Sequence, residues 1–421
     1  MKPRQIEALG ERLGPFLAKF EDCFATARGR AHLRTYVEGQ LGPLERKSVE
    51  PMADAAGIPP RSLQEFLSLL RWDEDAVRDR VQSLVARRAH QGEEIFILDE
   101  TSFAKKGDAT ACVQRQYCGA TGKVDNCVVT VNLAYADGNF HTLLDTDIYV
   151  PEETWAADPK RRKKAAIPES VVYRPIHEIA LDQIEHARRQ GVRARWVTAD
   201  ERYGSIPAFL EAIETWGLQY VLEVPRSSAG WTAKPPLRAV PERRGAGRPH
   251  EAGRLSDDAS NKTRRAEELV EEDAALARKP WTAYRVKDTF KGPEVWEVKE
   301  TAFYQRRGRG APPGYASPAL RLIVARNVLD GALKYFVSNA PPQVPMTTLL
   351  RIAFERWRVE RCFEDAKQEV GMDQFEVRRW GSIRRHLILA MASLLFLALE
   401  RERSRGGKER VTVDLAAAAR R

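Results

Sequence analysis

The sequence is poor in the features that mark membrane and secreted proteins. Its longest apolar run, Leu387–Leu399, has 13 residues, whereas a helix that spans a bilayer needs roughly 20. The five cysteines are odd in number and widely scattered, which argues against a disulfide scaffold and indicates a reducing compartment. The first twenty residues mix charged and apolar side chains without the apolar centre of a signal peptide. We therefore expect a cytoplasmic protein that has no membrane partner.

The composition is that of a globular protein with a basic balance. The chain has 421 residues, of which 43% are hydrophobic and 8% aromatic, and a chain of this length is expected to form two or three domains. Lys and Arg number 68 against 59 Asp and Glu, which leaves a formal net charge of +9. This charge is compatible with a polyanionic partner but does not identify one, because many basic proteins bind nothing acidic.

Residues 1–90 are predicted to be helical throughout, because apolar residues recur at helical spacing and no alternating run is present. One helix is predicted to end at Ala56–Ile58, and the next to begin at Pro59–Ser62. Gly57 suits the turn between them, and Pro is favoured at a helix start. This pattern fits a DNA-binding helix-turn-helix and, equally well, an ordinary helical hairpin.

An α/β region follows residue 91. Ile95–Leu98 is a short apolar run that ends on Asp99, and Arg195–Ala199 is a second that ends on Asp200. Both runs are typical of buried strands. The other predicted elements are the strands Cys127–Tyr135, Phe140–Val150 and Tyr220–Val224 and the helices 174–189 and Ile206–Thr215. Three meandering strands followed by helix, strand, helix and strand describe a mixed sheet flanked by helices.

Residues 226–332 interrupt this order. The segment combines a Pro/Gly/Arg-rich stretch, a charged stretch and three strand-like pieces, so we interpret it as a strand-containing insertion. The strand-like pieces lie around Trp281–Lys287, Val295–Tyr304 and Leu320–Val328. The sheet is expected to resume with Lys334–Val337, and long helices are predicted over Thr347–Glu369 and Arg384–Glu402.

The two strand-end carboxylates are the first candidates for a functional site. Side chains at strand ends of an α/β sheet face the ligand crevice, and converging carboxylate oxygens hold divalent cations. A single Asp at such a place often only caps a turn. The pair Asp99 and Asp200, on strands expected to be neighbours, predicts a metal site that a third carboxylate would complete.

The first of the two long helices offers that third carboxylate. Arg356, Glu360 and Lys367 follow an i, i+4, i+11 pattern, which brings them near one helical face. The alternative is an exposed helix stabilised by ion pairs one turn apart. Glu364 and Asp365 are other possible ligands on this helix, but only Glu360 keeps both the Arg and the Lys spacing.

These residues resemble a DDE transposase of bacterial insertion sequences. The similar group carries a Tyr-x2-Arg-x3-Glu-x6-Lys signature and a strand-rich insertion before the Glu. Arg356, Glu360 and Lys367 match the last three signature positions, whereas Ala353 stands where the group has Tyr. This departure puts the phosphate contact of that Tyr in doubt.

The resemblance extends over most of the chain. Asp99 matches the first Asp of the family, on the first strand, and Asp200 matches the second, on the fourth strand. The segment Gln116–Val131 (QYCGATGKVDNCVVTV) is typical of one subgroup. Asp200 and Glu360 are 160 residues apart, and the insertion accounts for the excess.

The resemblance implies an α/β fold with an RNase H-like mixed sheet, flanked by helices, interrupted by the insertion and preceded by an all-helical domain. The implied domains are a helical DNA-binding domain (1–90), the first part of the catalytic domain (91–225), the insertion (226–332), the second part of the catalytic domain with the catalytic helix (333–402) and a flexible tail (403–421).

The resemblance also implies a metal-dependent reaction on DNA. Two Mg²⁺ ions, for which Mn²⁺ can substitute, would be bridged by Asp99 and held individually by Asp200 and Glu360. Arg356 and Lys367 would bind phosphates of the DNA. The implied enzyme cleaves double-stranded DNA at the terminal inverted repeats of its element and joins the 3′-OH ends to target DNA, as a homodimer associated with the bacterial nucleoid. The alternatives are a domesticated, inactive descendant that binds DNA as a regulator, and an RNase H-like nuclease without strand transfer.

Further DNA contacts are expected from the insertion. In related transposases an aromatic of the insertion can stack on a flipped base. Trp296 is the preferred candidate over Trp231 and Trp281, with core packing as the alternative for each. Arg248 lies in a basic stretch that could enter a minor groove or form a solvated loop.

Other groups fit simpler roles. The basic clusters at 306–309 and 378–385 are further candidates for phosphate contact. Cys112, Cys118 and Cys127 lack the paired short spacing of a zinc site, so we expect them to be packing residues.

Overall fold

The structure is a computed structural model that describes residues 3–236, 263–289, 292–307 and 316–405. The chain divides into two compact units, which we call unit 1 (Met1–Ala194 and Trp357–Arg421) and unit 2 (Arg195–Arg356). These two units differ from the predicted domains. The N-terminal helices belong to the same unit as the first long strands, and the strand before Asp200 belongs to the same unit as the insertion. Residues 406–421 of the predicted tail lie outside the described residues.

The described residues contain fourteen α-helices and twelve strands. The helices are α1 (Pro3–Ala18), α2 (Ala27–Leu41), α3 (Val49–Ala55), α4 (Pro60–Ser68), α5 (Glu74–Ala86), α6 (Pro159–Lys164), α7 (Ile176–Arg189), α8 (Glu201–Gly204), α9 (Pro207–Thr215), α10 (Ala266–Glu272), α11 (Ala274–Arg278), α12 (Met346–Phe354), α13 (Trp357–Val370) and α14 (Trp380–Arg405). The strands are β1 (Ile95–Ala104), β2 (Gln114–Cys118), β3 (Lys123–Asp137), β4 (Phe140–Ile148), β5 (Trp196–Thr198), β6 (Gln219–Val224), β7 (Ala229–Trp231), β8 (Arg264–Arg265), β9 (Thr282–Thr289), β10 (Gly292–Gln305), β11 (Leu320–Asn327) and β12 (Leu333–Ser338).

Unit 1 begins with the predicted helices. α3 ends before Gly57, whose φ of +67° suits glycine, and α4 begins with Pro60 in its first turn. The predicted helix–turn–helix boundary is therefore confirmed, whereas its contact with DNA stays a prediction. The rings of Phe24, Phe66 and Trp72 pack with centroids 5.0 to 6.0 Å apart and hold this part of the unit together.

The sheet of unit 1 is antiparallel. β3 pairs with β1 along most of its length, and also with β2 and β4. The turn predicted at Asp137–Asn139 is present between β3 and β4, with Gly138 at a φ of +58°. The apolar residues of β1, β3 and β4 are almost entirely buried, so this sheet forms the core of the unit.

α14 is the central helix of unit 1. By length and composition alone it could cross a membrane, but 83% of its most apolar window is buried inside the structure. It packs on β4 and on the N-terminal helices α2, α4 and α5. The apolar run Leu387–Leu399 therefore has protein partners, and the helix begins four residues before the predicted Arg384.

The sheet of unit 2 has the order β5–β6–β12–β11–β10–β7–β8, and β9 pairs with the first half of β10, Gly292–Val298. β5 and β6 are parallel, and the remaining pairs are antiparallel. The strands predicted in the insertion are confirmed as β9, β10 and β11. Because β12 pairs with both β6 and β11, the insertion extends this sheet instead of forming a separate one.

A buried histidine links the helices of unit 1. His386 on α14 lies 2.7 Å from the hydroxyl of Tyr36 on α2, and its Nε2 lies 3.2 Å from the carbonyl oxygens of Gly371 and Met372. Burial, and to a smaller extent the positive charge of Lys105, lower the pKa of His386 to about 4 against the opposing effect of the two carbonyls. The neutral ring can accept from Tyr36 and donate to the carbonyls.

We predict that this histidine makes unit 1 sensitive to acid. The pKa of His386 lies below the ordinary value of 6.5, so the unfolded chain takes up the proton first, and stability is present above pH 6.5 and lost as the pH falls through 4. Relative to His386→Gln, the wild-type protein should lose up to about 3 kcal/mol of unfolding free energy between pH 7 and pH 4, measured by urea denaturation.

The comparison with the variant is needed because Asp145 has the opposite slope, since burial raises its pKa to about 6. Asp145 is present in both proteins and cancels in the difference. A difference between wild type and variant that stays constant from pH 7 to pH 4 would contradict the buried neutral state of His386.

Candidate active site

Asp99 lies in the middle of a strand and not at its tip, which corrects the expectation from the sequence. β1 continues to Ala104 because its antiparallel pairing with β3 runs from Ile95 opposite Ala136 to Ala104 opposite Cys127. Asp99 is half-buried, and its Oδ1 accepts the backbone N–H of Glu100 at 2.8 Å.

The strand face that bears Asp99 also bears Thr101 and Phe103, because alternate residues of a strand share a face. α13 packs on this face. Lys367, in the last turn of α13, donates to Oγ1 of Thr101 at 2.8 Å, and its Nζ lies 5.6 Å from the centre of the Phe103 ring. Burial lowers the pKa of Lys367, while the charge of Asp373 opposes the shift.

A second contact fixes the direction of α13 on β1. Beyond the helix, the carbonyl oxygen of Phe375 accepts from Nζ of Lys105 at 2.8 Å, and Lys105 follows the last residue of β1. Contacts therefore move toward the end of β1 as the chain leaves α13. α13 and β1 thus run in the same direction.

This direction brings Glu360 toward Asp99. Glu360 lies two turns before Lys367, about 10 Å back along the helix, and Asp99 lies about 7 Å before Thr101 along the strand. Both carboxylates are therefore on the same side of the Lys367–Thr101 contact. Glu360 is exposed.

The two other carboxylates considered on α13 have structural partners. Asp365 is 2% exposed and pairs with Arg361 at 2.9 Å and with Arg401 of α14 at 2.7 Å. Glu364 is exposed and pairs with Arg361 at 2.8 Å. Asp365 thus anchors α13 in the core.

Arg356 does not lie on the helix that carries Glu360, contrary to the prediction of one helix over Thr347–Glu369. The helix breaks at Glu355 and Arg356, between α12 and α13. The physical reason is that no residue from 354 to 358 is buried, so no apolar stripe continues across this stretch. Ala353, at the signature Tyr position, is buried on α12.

Asp200 belongs to unit 2, where it caps a helix. It follows β5 closely, and its Oδ1 accepts the backbone N–H of Arg202 at 3.0 Å at the start of α8. α8 packs against β6 through Gly204, where an added Cβ would meet the carbonyl oxygen of Glu223 at 2.1 Å. Only glycine fits there, so Gly204 holds α8, and Asp200 with it, against β6.

Trp296 is packed inside unit 2. It is 4% exposed, its ring centroid lies 4.9 Å from that of Phe354, and its Nε1 donates to Glu294 at 2.9 Å. Trp231 is also buried, and Trp281 lies under the guanidinium of Arg326. Base stacking by Trp296 stays a prediction that would require the indole to leave this packing.

The basic clusters differ in their partners. Arg384 and Arg385 form ion pairs with Glu74 of α5, so they hold α14 to the N-terminal helices. Arg248 and residues 308–309 lie outside the described residues, and a phosphate contact by Arg248 stays a prediction.

The cysteines pack in the core of unit 1. All five are buried, and burial raises the pKa of Cys127 and Cys362 to about 12. These two groups are therefore thiols at neutral pH and not metal-binding thiolates.

Thr101 was not recognised in the sequence as a functional residue. Its position two residues after Asp99 could have indicated it, because this spacing places both side chains on the same strand face. Only the packing of α13 shows that it receives the hydrogen bond of Lys367.

Comparison with known proteins adds a family match. Residues 19–293 match the family described as DDE superfamily endonuclease. The match covers more than half of the chain and includes Asp99 and Asp200, whereas Glu360 lies beyond its end.

Individual relatives are more distant. The probable transposase for insertion sequence element IS701 from Microchaete diplosiphon is 26% identical over 228 residues, which are 53% of this chain and 56% of that protein. The chain thus spans about half the length of this relative. The cryo-EM structure of the piggyBac transposase synaptic complex with hairpin DNA aligns with a TM-score of 0.46 and 11% identity over 93% of this chain and 70% of that chain.

We predict that Gly204→Ala destabilises unit 2 by about 2 kcal/mol or more, because the new methyl group meets backbone that cannot rotate away. The matched control is Gly381→Ala in α14, where an added Cβ meets nothing within 4 Å and which should be neutral or stabilising by up to about 1 kcal/mol. Thermal unfolding followed by circular dichroism measures both changes. Equal stability of the two variants would contradict the conclusion that Gly204 is needed to hold α8 and Asp200 against β6.

Proposed function

The chain belongs to the DDE superfamily of endonucleases, and on this premise we propose that it is the transposase of an insertion sequence. It cleaves DNA at the terminal inverted repeats of its element and joins the 3′-OH ends to target DNA. The observation that carries the proposal is the contact between α13 and β1, because Lys367 of the Arg-x3-Glu-x6-Lys pattern lies against Thr101 on the face of Asp99. Similarity to the relative from Microchaete diplosiphon, a probable transposase, supports it.

Asp99, Asp200 and Glu360 are the proposed ligands of divalent ions. All three are carboxylates that keep solvent exposure, and hard carboxylate oxygens are the donors that Mg²⁺ and Mn²⁺ prefer. When bound, two such ions activate the attacking water or hydroxyl and stabilise the leaving oxygen.

The side chains around this site have separate tasks in the proposed reaction. The ladder between β1 and β3 fixes the backbone of Asp99, and the N–H of Glu100 orients its carboxylate. Lys367 has three donors, of which Thr101 Oγ1 receives one at 2.8 Å and the carbonyl oxygen of Ser102 another at 3.4 Å, and the third is proposed to bind a phosphate of the DNA. A phosphate at that place would oppose the lowering of the pKa of Lys367. Arg356 is proposed to bind a neighbouring phosphate from the turn before α13.

The proposed catalytic core is RNase H-like. Its strands would come from two sets, the antiparallel strands β1, β3 and β4 and the parallel strands β5 and β6. The antiparallel pairing within the first set and the parallel pairing within the second support this proposal. We propose a homodimer at the nucleoid as the active assembly, because two element ends must be cut in one complex.

We predict that Glu360→Gln loses metal-dependent cleavage while Glu364→Gln keeps it. Both residues are exposed on α13, one turn apart, so the variants match in charge, helix and exposure. Removal of a proposed ligand should slow cleavage by about 100-fold or more, since ligands and even their outer partners are worth 10–100-fold. The substrate is a labelled duplex with one element end, taken from the DNA that flanks the reading frame, in Mg²⁺.

Binding of the same duplex without metal is the control, and it should be equal in both variants and in the wild type. Cleavage by Glu360→Gln at the wild-type rate would remove Glu360 from the site. Binding without cleavage by the wild type would instead indicate a protein that binds DNA and does not cut it.

A further inference from the structure

The most basic segment of the described residues lies outside the proposed catalytic site. α6 has the sequence PKRRKK, with five consecutive cations from Lys160 to Lys164. Lys160, Lys163 and Lys164 are exposed, and their i, i+3, i+4 spacing gives them one face of the helix. In the described part of the chain none of these three lysines forms an ion pair.

Among the residues described, the two arginines of α6 are held by carbonyl oxygens and not by carboxylates. Arg161 donates to the carbonyls of Thr154, Asp108 and Val113 at 3.0 to 3.2 Å. Arg162 donates to the carbonyls of Pro168 and Val171 at 2.8 and 2.6 Å. A carbonyl accepts a hydrogen bond without neutralising the guanidinium, so both charges add to the potential of this surface. These bonds also fix α6 to the loops around it.

Hydrogen bonds connect α6 to the strand that bears Asp99. Arg161 bonds to the loop after β1 at Asp108, and in that loop the N–H of Ala111 donates to the carbonyl of Arg378 at 2.9 Å. The segment before α14 that contains Arg378 also supplies the carbonyl of Phe375, which binds Lys105 at the end of β1. α6, this loop and the segment before α14 therefore pack together at the end of β1.

These three segments together form a basic surface. Exposed cations on the two connecting segments are Lys106, Arg378 and Arg379. The acidic residues of the three segments are Asp108, the exposed Asp373, Asp158, which caps α6 by accepting from the N–H of Arg161, and Glu376, which pairs with Arg46. Glu152 and Glu153 lie on the turn before α6 and form no ion pair with it in the residues described. Cations thus dominate the surface.

We propose that this surface, which we call the α6 surface, binds the phosphate backbone of duplex DNA next to the cut. Lysine ammonium groups on flexible stems bind phosphates as point charges without reading the sequence. The position at the end of β1 would hold the DNA that continues beyond the proposed catalytic residues. The identity of the ligand as DNA rests on the proposed function. The positive charge of the surface does not, because it follows from the exposed lysines and from the carbonyl partners of Arg161 and Arg162.

Replacement of two lysines tests this proposal. Lys160→Gln/Lys164→Gln removes two charges from the exposed face of α6. Arg189→Gln/Arg193→Gln removes two charges from exposed positions at and after the end of α7 and is the matched control. Binding of each full-length variant to a fluorescein-labelled random 40-bp duplex is measured by anisotropy across a salt series.

The lysine variant should bind about ten-fold more weakly at 150 mM salt, and the slope of log K against log salt should fall by about 2, since each phosphate contact contributes about 0.9. The arginine control should keep the wild-type affinity and slope. Lys160→Arg/Lys164→Arg should also keep them, because the charge and not the packing is what matters. Circular dichroism melts verify that the variants are folded.

Equal affinities and salt slopes for the lysine variant and the wild type would contradict the proposal that the α6 surface binds DNA. A loss in the charge-preserving arginine variant would do the same, because it would point to packing. Cleavage of an element end in Mg²⁺ tests the proposed function separately. A protein that binds duplex through α6 and never cleaves would leave the α6 surface standing and remove the transposase proposal.

Discussion

The hydrogen bond from Lys367 to Thr101 joins α13 and β1 across 266 residues of sequence, and the candidate site depends on this junction. Closing such a long loop is costly in entropy, so this one part-buried hydrogen bond could not hold it alone. Two buried contacts secure α13 further along. Asp365 pairs with Arg401 of α14, and the ammonium of buried Lys47 donates to the carbonyl of Glu369 at the end of α13. The functional face of α13 is thus positioned by contacts on its other side.

Local signals in the sequence account for most of unit 1. Glycine and proline at the α3–α4 turn, the turn at Asp137–Asn139 and the apolar run before Asp99 each indicate a structure that is present. The sequence did not indicate the full length of β1, because residues 100–104 are held in the strand by pairing with β3 and do not form an apolar run. As a result, Asp99 lies in the middle of the strand and not at the predicted tip. It is on the strand face that α13 covers.

The predictions from the sequence were less successful where packing between residues far apart in the chain determines the structure. Residues 354–358 have helix-forming side chains, yet none of them is buried, and the helix breaks there, which separates Arg356 from Glu360. Trp296 alternates with charged residues as a surface aromatic would, but Phe354 covers its ring. The run of cations on α6 reads as a solvated segment, and only the carbonyl contacts of Arg161 and Arg162 show that it is fixed in place.

Metal binding by the three carboxylates is the central claim, and crystals soaked in MnCl₂ and measured at the manganese absorption edge test it most directly. We expect anomalous peaks about 2.1–2.3 Å from carboxylate oxygens of Asp99, Asp200 and Glu360, the range for hard cations and oxygen ligands. The peak beside residue 360 should vanish in Glu360→Gln. Peaks elsewhere in wild-type crystals, with none at these carboxylates, would contradict the proposed site.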